Sequence, residues 1–82
     1  MSILKVVEAY DLANTFFKLG YLFRAKTCLN IAIENLEELC EKTNIKKVVI
    51  MLNKKIAQCL QLKQKIDKKI TQRVLIKIHT IK

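Results

Sequence analysis

The stretch Phe16-Phe17-Lys18-Leu19-Gly20-Tyr21-Leu22-Phe23-Arg24-Ala25 decides how this chain folds. It holds the one glycine of an 82-residue chain that contains no proline. N-terminal to it, Val6, Ala9, Tyr10, Ala13, Phe16 and Phe17 recur at steps of three and four, the spacing of one helical face. Glu8 and Asp11 fall on the remaining surface of that helix. C-terminal to it, Leu22, Ala25, Leu29, Ala32, Leu36 and Leu39 repeat the same pattern, widened by Cys28, Ile33 and Cys40. Two helical stripes separated by a lone glycine read as a hairpin, with Gly20 as the C-terminal cap of the first helix. The first helix is expected over about 2–19, capped by Ser2, and the second over about 21–42. Small Ala25 and Ala32 alternate with large Leu22, Leu29 and Leu36, so two helices can approach closely while the large residues fill the gaps.

Outward from the hairpin, Thr43-Asn44 reads as a turn, with Asn44 capping a third helix. That helix begins near Ile45 and continues to at least Ile70 on the stripe Val48, Val49, Leu52, Ile56, Cys59, Leu60, Ile66 and Ile70. Short connections make consecutive helices antiparallel neighbours. The expected fold is therefore all-α, an up-down-up three-helix bundle over residues 1–70. The tail, residues 71–82, mixes Val74, Leu75, Ile76, Ile78 and Ile81 with Lys77. It reads as a continuation of the third helix with a frayed end, with a loose strand or partial disorder as the alternatives. Its apolar residues also offer a way to pair two copies.

The composition excludes several classes. A β-rich domain of this length needs many turns, and turns draw on Gly and Pro. Cys28, Cys40 and Cys59 are odd in number and widely spaced, and His79 is the only histidine. No disulfide framework and no metal site are expected from that set, and no cofactor. The longest apolar run, Val48 to Leu52, is far short of the ~20 residues a membrane span needs. Residues 1–5 lack the layout of a signal peptide. A cytoplasmic protein with reduced thiols is the expectation. Catalysis is not expected, because no nucleophile has a base beside it.

The net charge of +9 is uneven. Residues 1–41 hold four cations (Lys5, Lys18, Arg24, Lys26) and six acids, while residues 42–82 hold twelve cations and Asp67 alone. A basic half points to an acidic partner, although the same lysines serve equally well as a solvated face. Lys54, Lys65, Lys68, Lys69 and Arg73 are the residues of that surface. Nucleic acid is disfavoured, since the basic half contains no aromatic residue and one arginine. Membrane contact would be peripheral.

Gly20, Ala25, Leu29 and Ala32, followed by Leu52, Lys55, the Cys59-Leu60 pair and Ile66, resemble the pattern of the microtubule-interacting-and-transport (MIT) domain over Leu12 to Ile66. The Gly-then-Ala spacing is shared with tetratricopeptide repeats, so the hairpin is TPR-like with a third helix added. The resemblance implies a domain placed ahead of an AAA motor, as in ATPases of the ESCRT-III-disassembling, katanin and spastin type. No G-x-x-x-x-G-K-[ST] loop occurs in this chain. The resemblance also implies an ESCRT-III-like helical tail as partner and endosomal recruitment, or tubulin and microtubules. Members that bind such tails often carry acids on the third helix, where this chain has Gln61 and Gln64 among lysines.

An amphipathic partner helix would lay its apolar anchors into a groove between the second and third helices. The expected lining is Ile33, Leu36 and Cys40 on the second helix, with Leu52, Ile56, Cys59 and Leu60 on the third. Lys55, Gln61, Lys63 and Gln64 would form its rim, setting specificity while the apolar anchors carry affinity. Each of those apolar residues also suits plain core packing.

Overall fold

In the computed structural model the described residues, 3–81, with side chains to Val74, form three α-helices. These are α1 (Ile3–Leu19), α2 (Leu22–Lys42) and α3 (Lys46–Ile81). The fold is an all-α three-helix bundle in up-down-up order. α1 ends in a Schellman motif. Gly20 has φ +86°, its amide donates to the Phe17 carbonyl at 3.2 Å, and the Tyr21 amide donates to the Phe16 carbonyl at 2.9 Å. These two bonds satisfy carbonyls that the helix end would leave free. The hydrophobic contact that accompanies such a motif is the edge-on packing of Phe16 and Tyr21, ring centroids 6.3 Å apart. No side chain caps the start of α2.

Ser2, the expected cap of α1, lies outside the described residues. The α2–α3 turn differs from expectation. The Ile45 amide donates to Thr43 Oγ1 at 3.4 Å, and the Val49 amide donates to the Ile45 carbonyl. Ile45 therefore occupies the capping position and Thr43 supplies the side-chain oxygen, the short hydroxyl turn that threonine favours. Asn44 makes no side-chain hydrogen bond among the described residues.

The core is a single cluster. Leu29, Leu36, Leu52 and Ile66 are its largest fully buried side chains, and Ala13, Ala25 and Ala32 are completely enclosed. Burying a Leu or Ile contributes about 1.5–3 kcal/mol, and the alanines let the helix axes come close enough for that burial to be complete. One expected member of the α3 stripe, Leu60, lies off the buried face, and Leu62 stands on it. Leu60 is 45% exposed, whereas Leu62 is 6% exposed. Leu62 stands three residues beyond Cys59 on the buried face, and Leu60 one residue beyond it, about 100° around the helix.

α2 is the central element. α1 packs along one side of it and α3 along the other, while α1 and α3 barely meet. Two contacts fix the α2–α3 register: Lys26 Nζ to Asp67 Oδ1 at 2.9 Å, and the Cys40 thiol donating to Asn53 Oδ1 at 3.8 Å. The residue numbers of both pairs add to the same total, as one antiparallel register requires. α3 runs through Ile81 as one helix, the first of the courses open to the tail. At 1.5 Å per residue the segment beyond Arg73 reaches about 12 Å past the α1–α2 turn. The overall extents, 56 × 18 × 15 Å, reflect the length of α3.

Candidate functional site

Because α1 and α3 flank α2 without closing on each other, a cleft remains between them. Its walls are Val6, Val7, Tyr10 and Asp11 of α1 and Lys55, Gln58 and Cys59 of α3, with Leu36 of α2 as the floor. The cleft volume is about 190 Å³. That space takes one large apolar side chain, and the rim offers one carboxylate, one ammonium group and one amide. Val7 is 42% exposed at its mouth. Helical spacing places Val7, Tyr10 and Asp11 on one edge of α1, and Lys55, Gln58 and Leu62 on one edge of α3.

The residues expected in a groove between α2 and α3 are distributed differently. Ile33, Leu36, Leu52 and Cys59 are buried. Cys40 and Ile56 are half-buried and pack against the core, and Leu60 faces solvent. The α2–α3 seam is thus largely closed by its own side chains. Of the expected lining, Leu36 and Cys59 reach the α1–α3 cleft, joined by Lys55 from the expected rim. Gln61 and Gln64 are exposed and Lys63 is half-buried, away from that cleft. Val6, Val7, Tyr10, Asp11 and Gln58 complete the site, and all but Gln58 belong to a helix that was assigned no binding role. Their signal was present in Val7, an apolar residue beside the stripe rather than on it.

Burial pushes the Cys59 thiol above its ordinary value, with the nearby Lys55 charge acting in the opposite sense. The shift favours the protonated thiol, which presents a soft apolar surface to the cleft. Among the described residues no group of three or more His, Cys, Asp or Glu side chains could hold a metal ion.

Of the expected basic surface, Lys54, Lys65, Lys68 and Lys69 are exposed along the outside of α3. Arg73 leaves that set and lies over the α1–α2 turn. A Cβ placed on Gly20 would sit 3.0 Å from Arg73 Nη2. The other arginine, Arg24, holds its guanidinium 5.6 Å from the centroid of the Tyr21 ring.

The chain matches the profile of DUF5475, a family of unknown function, over residues 1–81. It belongs to that family. Two baculovirus proteins are among the relatives found. An uncharacterized 9.5 kDa protein of Autographa californica nuclear polyhedrosis virus is 77% identical over 82 residues, covering 100% of both chains. An uncharacterized 9.3 kDa protein of Orgyia pseudotsugata multicapsid polyhedrosis virus is 49% identical over 81 residues, covering 99% of both. No solved structure matches this member of DUF5475. No helix among its described residues is long and apolar enough to cross a membrane.

Proposed function

We propose that this chain is a non-catalytic docking module that holds a helical segment of a partner protein along the α1–α3 cleft. The observation that carries this reading is the open edge between α1 and α3. There an apolar floor, Leu36, lies between the Val7–Tyr10 wall and the wall of Lys55, Gln58 and Cys59. An amphipathic helix seats one apolar anchor in such a cleft and lays its flanking polar residues against the rim. Asp11 on one wall and Lys55 on the other then fix its direction, since each favours an opposite charge. The chemistry of the walls supports binding rather than turnover, because burial favours the protonated thiol. Helical tails of the ESCRT-III type, the partners implied by the resemblance to MIT domains, are the first peptides to try.

The test is a chemical-shift titration of the isotope-labelled chain with a panel of such tail peptides. Shifts centred on Val7, Tyr10, Lys55 and Gln58 are expected, and Val7→Asp, which places a charge at the mouth, should abolish them. No response at about 1 mM peptide, weaker than a functional docking contact needs, would remove this reading. So would a response confined to the outer face of α3.

A further inference from the structure

The chain has sixteen cationic side chains, and only Arg24 and Arg73 are arginines. They are distant in sequence and on different helices, yet both line one surface hollow at the same end of the bundle, together with Gly20, Tyr21, Leu22 and Phe23. Among the described residues neither guanidinium has a hydrogen bond or an acidic partner; the ion pairs there are Lys26–Asp67 and Lys42–Glu38. Next to that hollow, Leu22, Phe23, Ile70, Arg73 and Val74 line a second one of about 390 Å³. The two share Leu22, Phe23 and Arg73. Phe23 is 73% exposed, the most exposed large apolar side chain of the described core-forming segment.

The shape follows from the helix lengths. α2 begins at Leu22, but α3 continues past it to Ile81, so the end of the hairpin and the side of α3 meet as a step. The inner corner of the step is apolar, and the two arginines stand at its edge. Lys18, Lys68 and Lys69 add charge at this end, and its one acid, Asp67, is already held by Lys26. The other end of the hairpin carries Glu34, Glu37, Glu38 and Glu41 on α2.

We infer that this step is a second docking site, distinct from the cleft, and that its occupant is an acidic partner segment whose Leu, Ile or Phe side chain enters the Phe23–Val74 corner while its carboxylates meet Arg24 and Arg73. Arginine, unlike lysine, grips a carboxylate through two parallel N–H bonds, and this chain places both its arginines here. A second copy meeting end to end would bring Arg24, Arg73 and Lys18 against the same residues, and like charges repel. A bilayer is flat and does not fill a corner. The aliphatic floor of Leu22, Ile70 and Val74 fits a branched side chain better than a planar base.

The test is selection from a displayed random-peptide library by the full chain, followed by fluorescence-anisotropy titration of the selected peptides. Peptides pairing Asp or Glu with Leu, Ile or Phe are expected. Their affinity should fall about tenfold or more in R24K/R73K, which keeps the charge but loses the fork, and further in F23A, while the cleft variant Val7→Asp binds as before. Helical circular dichroism of all variants checks the fold, which exposed positions leave intact. Selection of neutral or basic peptides, failure to select any, or equal binding by R24K/R73K overturns the inference. It is overturned equally if phosphatidylserine vesicles or single-stranded RNA bind more tightly than the selected peptides and compete them off, or if the two arginines govern self-association in sedimentation instead. Each of these outcomes is independent of the tail-peptide titration at the cleft.

Discussion

Replacing Gly20 by alanine tests how the hairpin is made. At φ +86° an L-residue is in the left-handed region, and its Cβ crowds the carbonyl that follows. That costs about 1–2 kcal/mol. Alanine also restricts the unfolded chain, which offsets about 0.4–1 kcal/mol of the loss. The added methyl meets Arg73 Nη2 at 3.0 Å, but that atom is the far end of a flexible side chain and can swing away. The net expectation is a loss of about 1 kcal/mol, with the backbone rather than the contact responsible. In a domain of this size that lowers Tm by about 4–8 °C. Urea denaturation followed by circular dichroism at 222 nm gives the free energy, and a double-mutant cycle with Arg73→Ala separates the two causes. Coupling below about 0.5 kcal/mol is expected. Gly20→Asn should lose less than Gly20→Ala, because asparagine visits this region more readily. A Gly20→Ala variant as stable as the parent would refute the Schellman reading. A large loss rescued by Arg73→Ala would show that the α3 contact, not the backbone, holds the glycine in place.

The packing makes further predictions. Ala32 is completely enclosed, so Ala32→Leu should overpack the α1–α2–α3 crossing and cost about 1–3 kcal/mol in the same denaturation assay. Leu62→Ala should cost about 2–5 kcal/mol and Leu60→Ala less than about 0.5 kcal/mol, the reverse of the order the sequence stripe implies. Asp67→Asn removes the ion pair with Lys26, whose partners are 46% and 37% exposed, so its cost should stay within about 1 kcal/mol and shrink in high salt. Cys59 should react with a thiol reagent far more slowly than Cys28 or Cys40, as mass spectrometry of partial labelling would read out. Its thiol is raised in the folded state, so the protonated form is favoured there, and this contribution to stability is present below the ordinary thiol range and lost as pH rises from that range through the raised folded value. A Cys59→Ala variant should lack that alkaline decline.

The order and number of helices were legible in the chain because periodicity is a local property. A three-and-four repeat on each side of one glycine leaves a hairpin as the economical solution, and Gly20 occupies the left-handed position that its place in the pattern demanded. The turn at Thr43 was legible only in position. Which of two adjacent polar residues supplies the capping oxygen depends on backbone geometry, and Thr43 rather than Asn44 is placed to do so. Leu60 falls off the buried face and Leu62 on it because a stripe wide enough to include one neighbour of Cys59 does not say which flank a third helix covers.

The candidate sites depended on long-range placement still more. Sequence pattern marks apolar faces, but a face that touches two neighbours and a face that touches one look alike. Leu52 and Ile33 are consumed by the α2–α3 seam, and the open edge falls between α1 and α3 because both lean on α2 rather than on each other. The placement of charge depends on the fold in the same way. Along the chain the aromatic residues lie in one half and most of the cations in the other, which argues against their acting together. Folding α3 antiparallel to α2 carries Arg73 back to Gly20 and sets it beside Phe23 and Arg24. The sequence by itself determined three helices, their order and a single core, since each follows from contacts a few residues apart. The tertiary structure alone decided which helix edges stay uncovered and which charges meet which rings, because those depend on the register between segments that the chain separates by most of its length.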